Sequence, residues 1–465
     1  MKINRALLGC YQSLPSWARS IAATAHGLRL KRSRYGPETE RLVEEAIERE
    51  GFSAAEWKRW REDRIARVIR RALEHVPYYR ELWAKRRLAG DHRSPEILAN
   101  WPVLSKHELH RNPRAFLADD CDPRRMFEDH TSGTSGTPLT LWRSQRTQRA
   151  RYAIYEARHR RWYGVDRSSR WAMLGGQLVA QHRQARPPFW VWNAALRQLY
   201  VSSYHLSAEL APHALDELVR RHIEYLWGYP SSLDALARAA LRRGGGPRMR
   251  VAVLNAEPVS PAQRERIEAA FACPARETYG MVELAAAGGE CEHGRLHWFP
   301  EFGEVEHGSD GALRATSLLD LDMPLIRYDT GDRVVLTAAG TSCRCGRSLP
   351  LLGAVEGRAD DLLVSSDGRP VGRLDPVFKA DWPIRQAQII QETARLVRVL
   401  YVPENGGAAS VESALRRALA DRLGNLDFRI EAVGEIPRGP NGKFRAVVSR
   451  LGEAGRAAAL LQGAA

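Results

Sequence analysis

Between about Glu38 and Glu74, apolar positions such as Ile65, Val68, Ile69 and Leu73 recur at helical spacing between charged faces. That 3.6-residue period predicts amphipathic helix over the segment. Pro77 in "HVPYYRELW" breaks the pattern, and helical and loop text alternates up to "NWPVLSKHELHRNP". Further on, "RMRVAVLNAEPVS" (Arg248–Ser260) reads as a buried strand ending in a polar turn. In "SPAQRERIEAAF", Ser260 is placed to cap a helix and Pro261 to fill its first position. "ARETYGMVE", after Pro274, reads as another strand and its exit loop. Strand, helix and strand in this order predict an α/β fold with a mostly parallel sheet, whose ligands gather beyond the carboxyl ends of the strands.

After "GRADDLL" (Gly357–Leu363) the texture changes. "RLVRVLYVP" is strand-like, "VESALRRALADRL" sets Val411, Leu415, Leu419 and Leu423 on one helical face, and "DFRIEAVGEIP" is strand-like again. These segments form a small α/β unit of their own, from roughly residue 358 to 450. The tail "EAGRAAALLQGAA" is Ala-rich and reads as a frayed helix.

A chain of 465 residues implies two or three domains, and 44% hydrophobic residues are enough for real cores. The net charge of +15 suits an anionic partner. The cations are scattered along amphipathic segments and build no nucleic-acid module, so nucleic acid is not expected, whereas a weak attraction to anionic membranes stays open. No stretch approaches the ~20 apolar residues of a transmembrane span. "MKINRALLGC" contains a Leu-Leu-Gly-Cys box, but the apolar run before Cys10 is far short of a signal core, so export is not expected. Six cysteines in a chain of this length are no disulfide scaffold and fit a reducing cytoplasm.

The chemistry starts at "HTSGTSGTPLTLW" (His130–Trp142). Gly, Ser and Thr do little for a core, but their bare N–H groups and hydroxyls can wrap an anion. The loop is not a GxxxxGK[ST] phosphate loop, because it lacks the lysine. It opens an ordered series: "TSGTSGTP", "WGYPSSL", "NAEPVS", "ETYGMVE", "YDTGD", "GRADD" and "PRGPNGKFR". In this order the segments resemble the adenylate-forming superfamily of acyl-CoA ligases and adenylating enzymes. Within it, the chain is most similar to the phenylacetate–CoA ligase branch, and especially to CapK-type capsular polysaccharide biosynthesis proteins.

The resemblance implies a large N-terminal adenylate-forming domain with mostly parallel sheets and flanking helices, followed by a small mobile C-terminal α/β domain. Residues 1–90 would be the helical start of the large domain, 91–357 its ATP- and carboxylate-binding body, and 358–465 the small domain. It further implies that Thr131, Ser132, Gly133, Thr134, Ser135 and Gly136 clasp pyrophosphate. Glu283 would hold Mg²⁺, and Tyr279, next to Gly280, would stack on adenine with Ala256 and Glu257 lining the pocket. Asp332 would take the ribose hydroxyls, with Arg358 near the ribose. Lys443 would bridge the attacking carboxylate and the α-phosphate, and Asp360 would be the hinge. The implied reaction activates a small-molecule carboxylate with ATP and Mg²⁺, then passes the acyl group to CoA or a carrier-protein thiol. An amine or sugar acceptor, giving an amide or ester, is the nearby alternative, and a non-catalytic scaffold of polysaccharide assembly is the third. Val282 stands where many relatives carry a hydroxyl residue, and "IRQAQIIQE" is closer to the CapK branch, so the first half-reaction is the better supported.

Trp227, Gly228 and Tyr229 of "WGYPSS" are candidates for the acid pocket, with core packing of the two rings the other reading. Cys291, His297, Cys343 and Cys345, in "GECEHGRLHW" and "TSCRCGR", offer three thiolates and an imidazole for a closed, structural Zn²⁺ site, with His293 the alternative to His297. The other reading is metal-free cysteines beside two surface histidines.

Overall fold

The computed structural model describes residues 10–131, 139–177, 179–181, 184, 186–203, 205–206, 209–308, 311–338, 340–358, 363–366, 370–371, 384–403, 408–437 and 444–451. Helices α1 (Ser16–Arg34), α2 (Thr39–Glu48), α3 (Ala54–His75), α4 (Pro77–Leu88) and α5 (Lys106–Arg111) come first. Pro77 starts a new helix rather than merely ending one, because its missing N–H costs nothing in a first turn. Ser53 and Ser105 cap α3 and α5 in reciprocal pairs with Glu56 and Glu108.

The hairpin β1 (Phe127–His130) and β2 (Thr140–Arg143) flanks the glycine/hydroxyl loop and leads into α6 (Gln145–His159). The main sheet then takes β3 (Trp171–Gly175), β4 (Trp190–Asn193), β5 (Gln198–Ser202), β6 (Tyr225–Gly228), β7 (Ala252–Leu254), β8 (Ala275–Gly280), β9 (Ala287–Glu290) and β10 (Leu296–Trp298). Between them lie α7 (Ala211–Arg220), α8 (Pro230–Arg242) and α9 (Pro261–Phe271). The strand order among the described residues is β10-β9-β8-β7-β6-β3-β5-β4. The centre, β5-β3-β6-β7-β8, is parallel, and both edges are antiparallel. Ser260 caps α9 with Gln263, and Pro261 is its first residue, as the sequence predicts.

Strand alternation sorts the core into two faces. Ala172, Leu174, Leu226, Ala252 and Leu254 pack under α7, α8 and α9, while Trp171, Tyr225, Val251 and Val253 pack on the other side. Gly228 is required where β6 meets β3, because a Cβ there would lie 2.6 Å from the Leu174 carbonyl oxygen.

A second sheet, β11 (Gly303–His307), β12 (Ala312–Ser317), β13 (Tyr328–Leu336) and β14 (Leu352–Arg358), is antiparallel throughout and packs on α3 and α4. The parallel pattern read from the sequence does not extend to it. β15 (Leu363–Val364) and β16 (Pro370–Val371) pair beyond it. The last unit holds β17 (Ile384–Gln391), β18 (Leu396–Pro403), α10 (Ala408–Leu423), β19 (Asp427–Ala432) and β20 (Val447–Ser449), in sheet order β19-β18-β17-β20. Val411, Leu415, Leu419 and Leu423 are all buried on this sheet.

One ion cluster joins the layers. Glu301, in the turn between β10 and β11, accepts two hydrogen bonds of 2.7 Å from Arg158 of α6 and one of 2.9 Å from Arg49. Arg158 also donates to the Ala46 carbonyl at 3.1 Å. Burial opposes the charge on Glu301, but the two guanidiniums hold its carboxyl down at about 2. A carboxyl lowered from 4.5 contributes stability that is complete above the unfolded value and is lost as the pH falls towards 2. Glu301→Gln should therefore cost ~3–5 kcal/mol at pH 7, by leaving buried Arg158 with only the longer contact to the Glu50 carboxylate at 3.4 Å. Urea unfolding of both proteins should show that deficit constant from pH 7 to 5 and narrowing below 4.5. A pH-independent difference would assign the loss to packing alone.

Candidate active site

Three strands end at one place. β6 delivers Gly228 and Tyr229, β7 delivers Asn255, Ala256 and Glu257, and β8 delivers Tyr279 and Gly280. This is the carboxyl edge of the parallel sheet, where backbone groups run out of ladder partners. The Asn255 amide still reaches back to the Gly228 carbonyl at 3.1 Å. Ala256 then takes φ +65°, a left-handed conformation costly for a residue with a Cβ, and the chain turns sharply. That turn points Glu257 at α8, where its carboxylate accepts the Ser231 amide at 3.1 Å, at a helix N-terminus that favours negative charge.

The same carboxylate accepts the Phe444 backbone amide at 2.7 Å. Phe444 lies just before β20, so the C-terminal unit is docked on the strand ends through a charge-assisted hydrogen bond. Lys443, its neighbour in sequence, lies outside the described residues, as do Ser132, Gly133, Thr134, Ser135, Gly136 and Asp360. Of the glycine/hydroxyl loop only Thr131 is described. Its backbone and hydroxyl bond both the carbonyl and the amide of Leu139, at 3.1 and 3.0 Å, and so close the base of the loop.

The second sheet supplies the facing wall. Tyr279 donates its hydroxyl to Asp332 of β13 at 2.6 Å. Burial first, and then the Asp332 carboxylate, push that hydroxyl well above its ordinary value, so it stays a donor. Asp332 is paired across the ladder with Arg358 of β14, which puts two residues read separately from "YDTGD" and "GRADD" directly opposite each other. Glu283 is buried and accepts the Tyr328 hydroxyl at 3.1 Å.

Two residues missed by the sequence reading help to build this centre. The Asn255 side-chain oxygen is buried and has no hydrogen-bond partner among the described residues, an unsatisfied acceptor beside the strand ends. Arg143, at the end of β2, donates to the Val282 carbonyl at 3.0 Å and pairs with buried Asp320 at 2.8 Å. It ties the loop hairpin to the segment carrying Glu283. Asn255 begins the "NAEP" motif and could have been found there, whereas nothing separates Arg143 from the many other arginines. Trp227 is half-buried and packs on Trp171 and His159, with ring centroids 6.1 and 5.8 Å away.

A second cluster sits on the β9–β10 edge. Cys291, His297, Cys343 and Cys345 offer ligand atoms that all lie within 4.8 Å of one another. His293 is exposed and takes no part. His297 Nε2 is 3.3 Å from the Cys345 sulfur, and its Nδ1–H donates to the Leu349 carbonyl at 3.0 Å, which leaves the Nε2 lone pair facing the thiols. Burial pushes the Cys291 thiol up to about 11. At Cys343 burial is outweighed by hydrogen bonds from the Cys345 amide and from both neighbouring thiols, and the thiol is lowered. Arg347 donates to Glu50 at 3.0 Å, and the Glu50 carbonyl accepts the Ser348 amide at 2.8 Å, so the loop that carries two of the thiols is fastened to the N-terminal helices.

The architecture is that of the adenylate-forming ligases. A 2-hydroxyisobutyryl-CoA ligase in the postadenylation state in complex with R3-HIB-AMP superposes with a TM-score of 0.66 at 20% identity, over 90% of this chain and 94% of that one. The same ligase with 2-HIB-AMP and CoA in the thioesterification state gives 0.51 at 21% identity, over 90% and 94%. Residues 363–450 match the CapK C-terminal domain. The chain is 24% identical to Protein CapK of Staphylococcus aureus over 393 residues, 80% of this chain and 85% of CapK. It is 27% identical to a phenylacetate–coenzyme A ligase of Thermus thermophilus over 367 residues, 71% of this chain and 74% of the ligase. Its homologues are thus CapK and phenylacetate–CoA ligases, as the order of its motifs implies.

Glu257→Ala should release the Phe444 amide without unfolding the protein. A lost charged hydrogen bond of this kind corresponds to at least about tenfold faster deuterium exchange at that amide. Exchange read by mass spectrometry on peptides spanning residue 444 checks this, and an unchanged rate would mean that the amide is protected elsewhere.

Proposed function

We propose that this protein is an ATP-dependent ligase that activates a small-molecule carboxylate as its acyl-adenylate and then passes the acyl group to a thiol. The observation carrying this reading is the convergence of three strand ends with Asp332, closed over by the C-terminal unit at Glu257. In the first step a carboxylate oxygen attacks the α-phosphorus of ATP, and the bond to pyrophosphate breaks. There is little covalent work for the chain in such a step, so catalysis is positioning and charge stabilisation.

In this reading Asp332 accepts the ribose hydroxyls, with Arg358 opposite it. Tyr279 and Gly280 flank the adenine, with Ala256 and Glu257 beside it, and the open oxygen of Asn255 suits its amino group. Ser132 to Gly136 follow the closed base at Thr131 and clasp the pyrophosphate. Glu283, a buried carboxylate with one oxygen on Tyr328, supplies the hard ligand that Mg²⁺ requires, and the cation would neutralise phosphate charge. Lys443 follows the same logic: its neighbour Phe444 is held at the site, and a mobile ammonium suits a shifting negative charge. Gly228 and Tyr229 border the acid, with Trp227 behind them. The small domain begins after β14, and Asp360 is the hinge about which it reorients before the thiol attacks the acyl carbon and AMP leaves. CoA is the proposed acceptor, and carrier-protein thiols and amines are the alternatives.

Lys443→Ala should lower acyl-adenylate formation by ~10²–10³ while leaving the fold intact. ATP–pyrophosphate exchange across aryl, aliphatic and amino acids measures this without any acceptor. Wild-type exchange by the folded variant would overturn the assignment of Lys443, and a wild-type protein silent with every acid would favour a non-catalytic scaffold. Single-turnover transfer to CoA, carrier protein and amines then assigns the acceptor.

We also propose that Cys291, His297, Cys343 and Cys345 bind structural zinc. Three thiolates and an oriented imidazole leave no open position, and thiolate ligation fits a reducing cytoplasm. Protein purified without added metal should contain about one zinc per chain, and chelation should lower its melting temperature. Metal-free protein that melts normally would end the proposal.

A further inference from the structure

Helix α1 presents its polar side to the protein and its apolar side to solvent. The inward side is a set of polar fastenings to the edge strand β4, the residue after it and the segment that precedes it. Ser20 accepts the Trp192 amide at 3.2 Å, Thr24 accepts the Ala194 amide at 3.1 Å, and Arg19 donates to the Val179 carbonyl at 2.8 Å. Gly27 is pressed so close to Asn193 that a Cβ would lie 2.1 Å from its side-chain oxygen. These contacts cover a sheet edge, which explains why the inward side is polar and small.

They do not explain the outward side. Trp17, Ile21 and Leu28 are 67%, 62% and 51% exposed, and Leu14, in the turn before the helix, is 40% exposed. At 3.6 residues per turn, Trp17, Ile21, Ala25 and Leu28 fall within an arc of about 80°. The other exposed large hydrophobic side chains among the described residues, from Ile47 to Val335, stand singly on other elements. The stripe ends in exposed Arg29, Lys31 and Arg32, and α1 contains no acidic residue. No described helix is long and apolar enough to cross a membrane.

We propose that α1 is an interfacial helix that lays this stripe into an anionic lipid surface. Charge complementarity selects this occupant: the cations adjoin the apolar row, the helix has no opposing carboxylate, and the whole chain carries +15. Trp17 supplies the amphipathic ring that favours the headgroup boundary, while Ile21 and Leu28 enter the acyl region. The fastenings to β4 stay inside the protein, so the helix binds lipid without leaving the fold. A neutral bilayer would receive the apolar row but not the cations, and high salt would weaken the attraction.

Co-sedimentation of the full chain with phosphatidylcholine vesicles, with and without phosphatidylglycerol, tests the proposal. Wild-type protein should pellet with the anionic vesicles and be released by salt. The combined variant Trp17→Ser, Ile21→Ser, Leu28→Ser should lose at least about tenfold in partitioning, and Arg29→Gln, Lys31→Gln, Arg32→Gln should lose the preference for phosphatidylglycerol. Circular dichroism and analytical ultracentrifugation accompany each variant. Wild-type protein that stays in the supernatant at low salt overturns the proposal. Equal binding by the serine variant assigns attraction to the general basic surface and overturns it too. A lipid-free dimer that the serine variant abolishes assigns the stripe to a second copy of the chain instead.

Discussion

The buried pairing of Glu301 with Arg158 and Arg49 is the constraint on which the rest of the architecture depends. Glu301 occupies the turn where the main sheet gives way to the antiparallel one, Arg158 closes the helix that follows the loop hairpin, and Arg49 belongs to the N-terminal helices. Three distant stretches of chain thus share one carboxylate. A buried ion cluster of this kind is a poor source of net stability but a strict register, because any misplaced partner leaves a charge in the interior. Glu50 extends the register to the cysteine loop through Arg347 and Ser348. The placing of the cysteine–histidine cluster and the seating of α6 therefore answer to the same few contacts.

The candidate active site inherits its geometry from this arrangement rather than from any rigid local motif. The parallel sheet contributes strand ends, and the antiparallel sheet contributes Asp332. The two meet only because the turn at Glu301 fixes how one sheet leaves the other. The hydrogen bond from Tyr279 to Asp332 is the seam between them.

How much of this was legible in the sequence follows from how local each feature is. The β7–α9–β8 unit was readable because an apolar run, a Ser-Pro helix start and a second strand lie within thirty residues and each speaks for the others. The face of α10 was readable for the same reason. The second sheet was not: "GEVEH" and "ALRATS" are short, mixed strands whose pairing is set by partners elsewhere in the chain. Helix α1 escaped because periodicity marks which side is apolar, not whether that side is turned inward. The roles of Asp332 and Arg358 came from resemblance alone, and only the ladder register shows that they stand opposite each other. The cysteine and histidine set was legible by residue type, His297 already preferred to His293, and the strand that buries His297 supplies the physical reason for that preference.

The C-terminal docking contact has almost no slack. Phe444 is held by the large sheet through Glu257, yet the Arg445 carbonyl already accepts a hydrogen bond from Gln388 of β17 at 2.7 Å, and the Ala446 carbonyl accepts the Ile389 amide at 2.8 Å. Two residues of extended chain span at most ~7 Å. Displacement of the C-terminal sheet beyond that reach must break the bond to Glu257 or unravel the edge strand behind it. The contact is therefore either made or broken, because the stretch from Phe444 to Ala446 is too short to let the C-terminal sheet shift far while the Phe444 amide stays on Glu257.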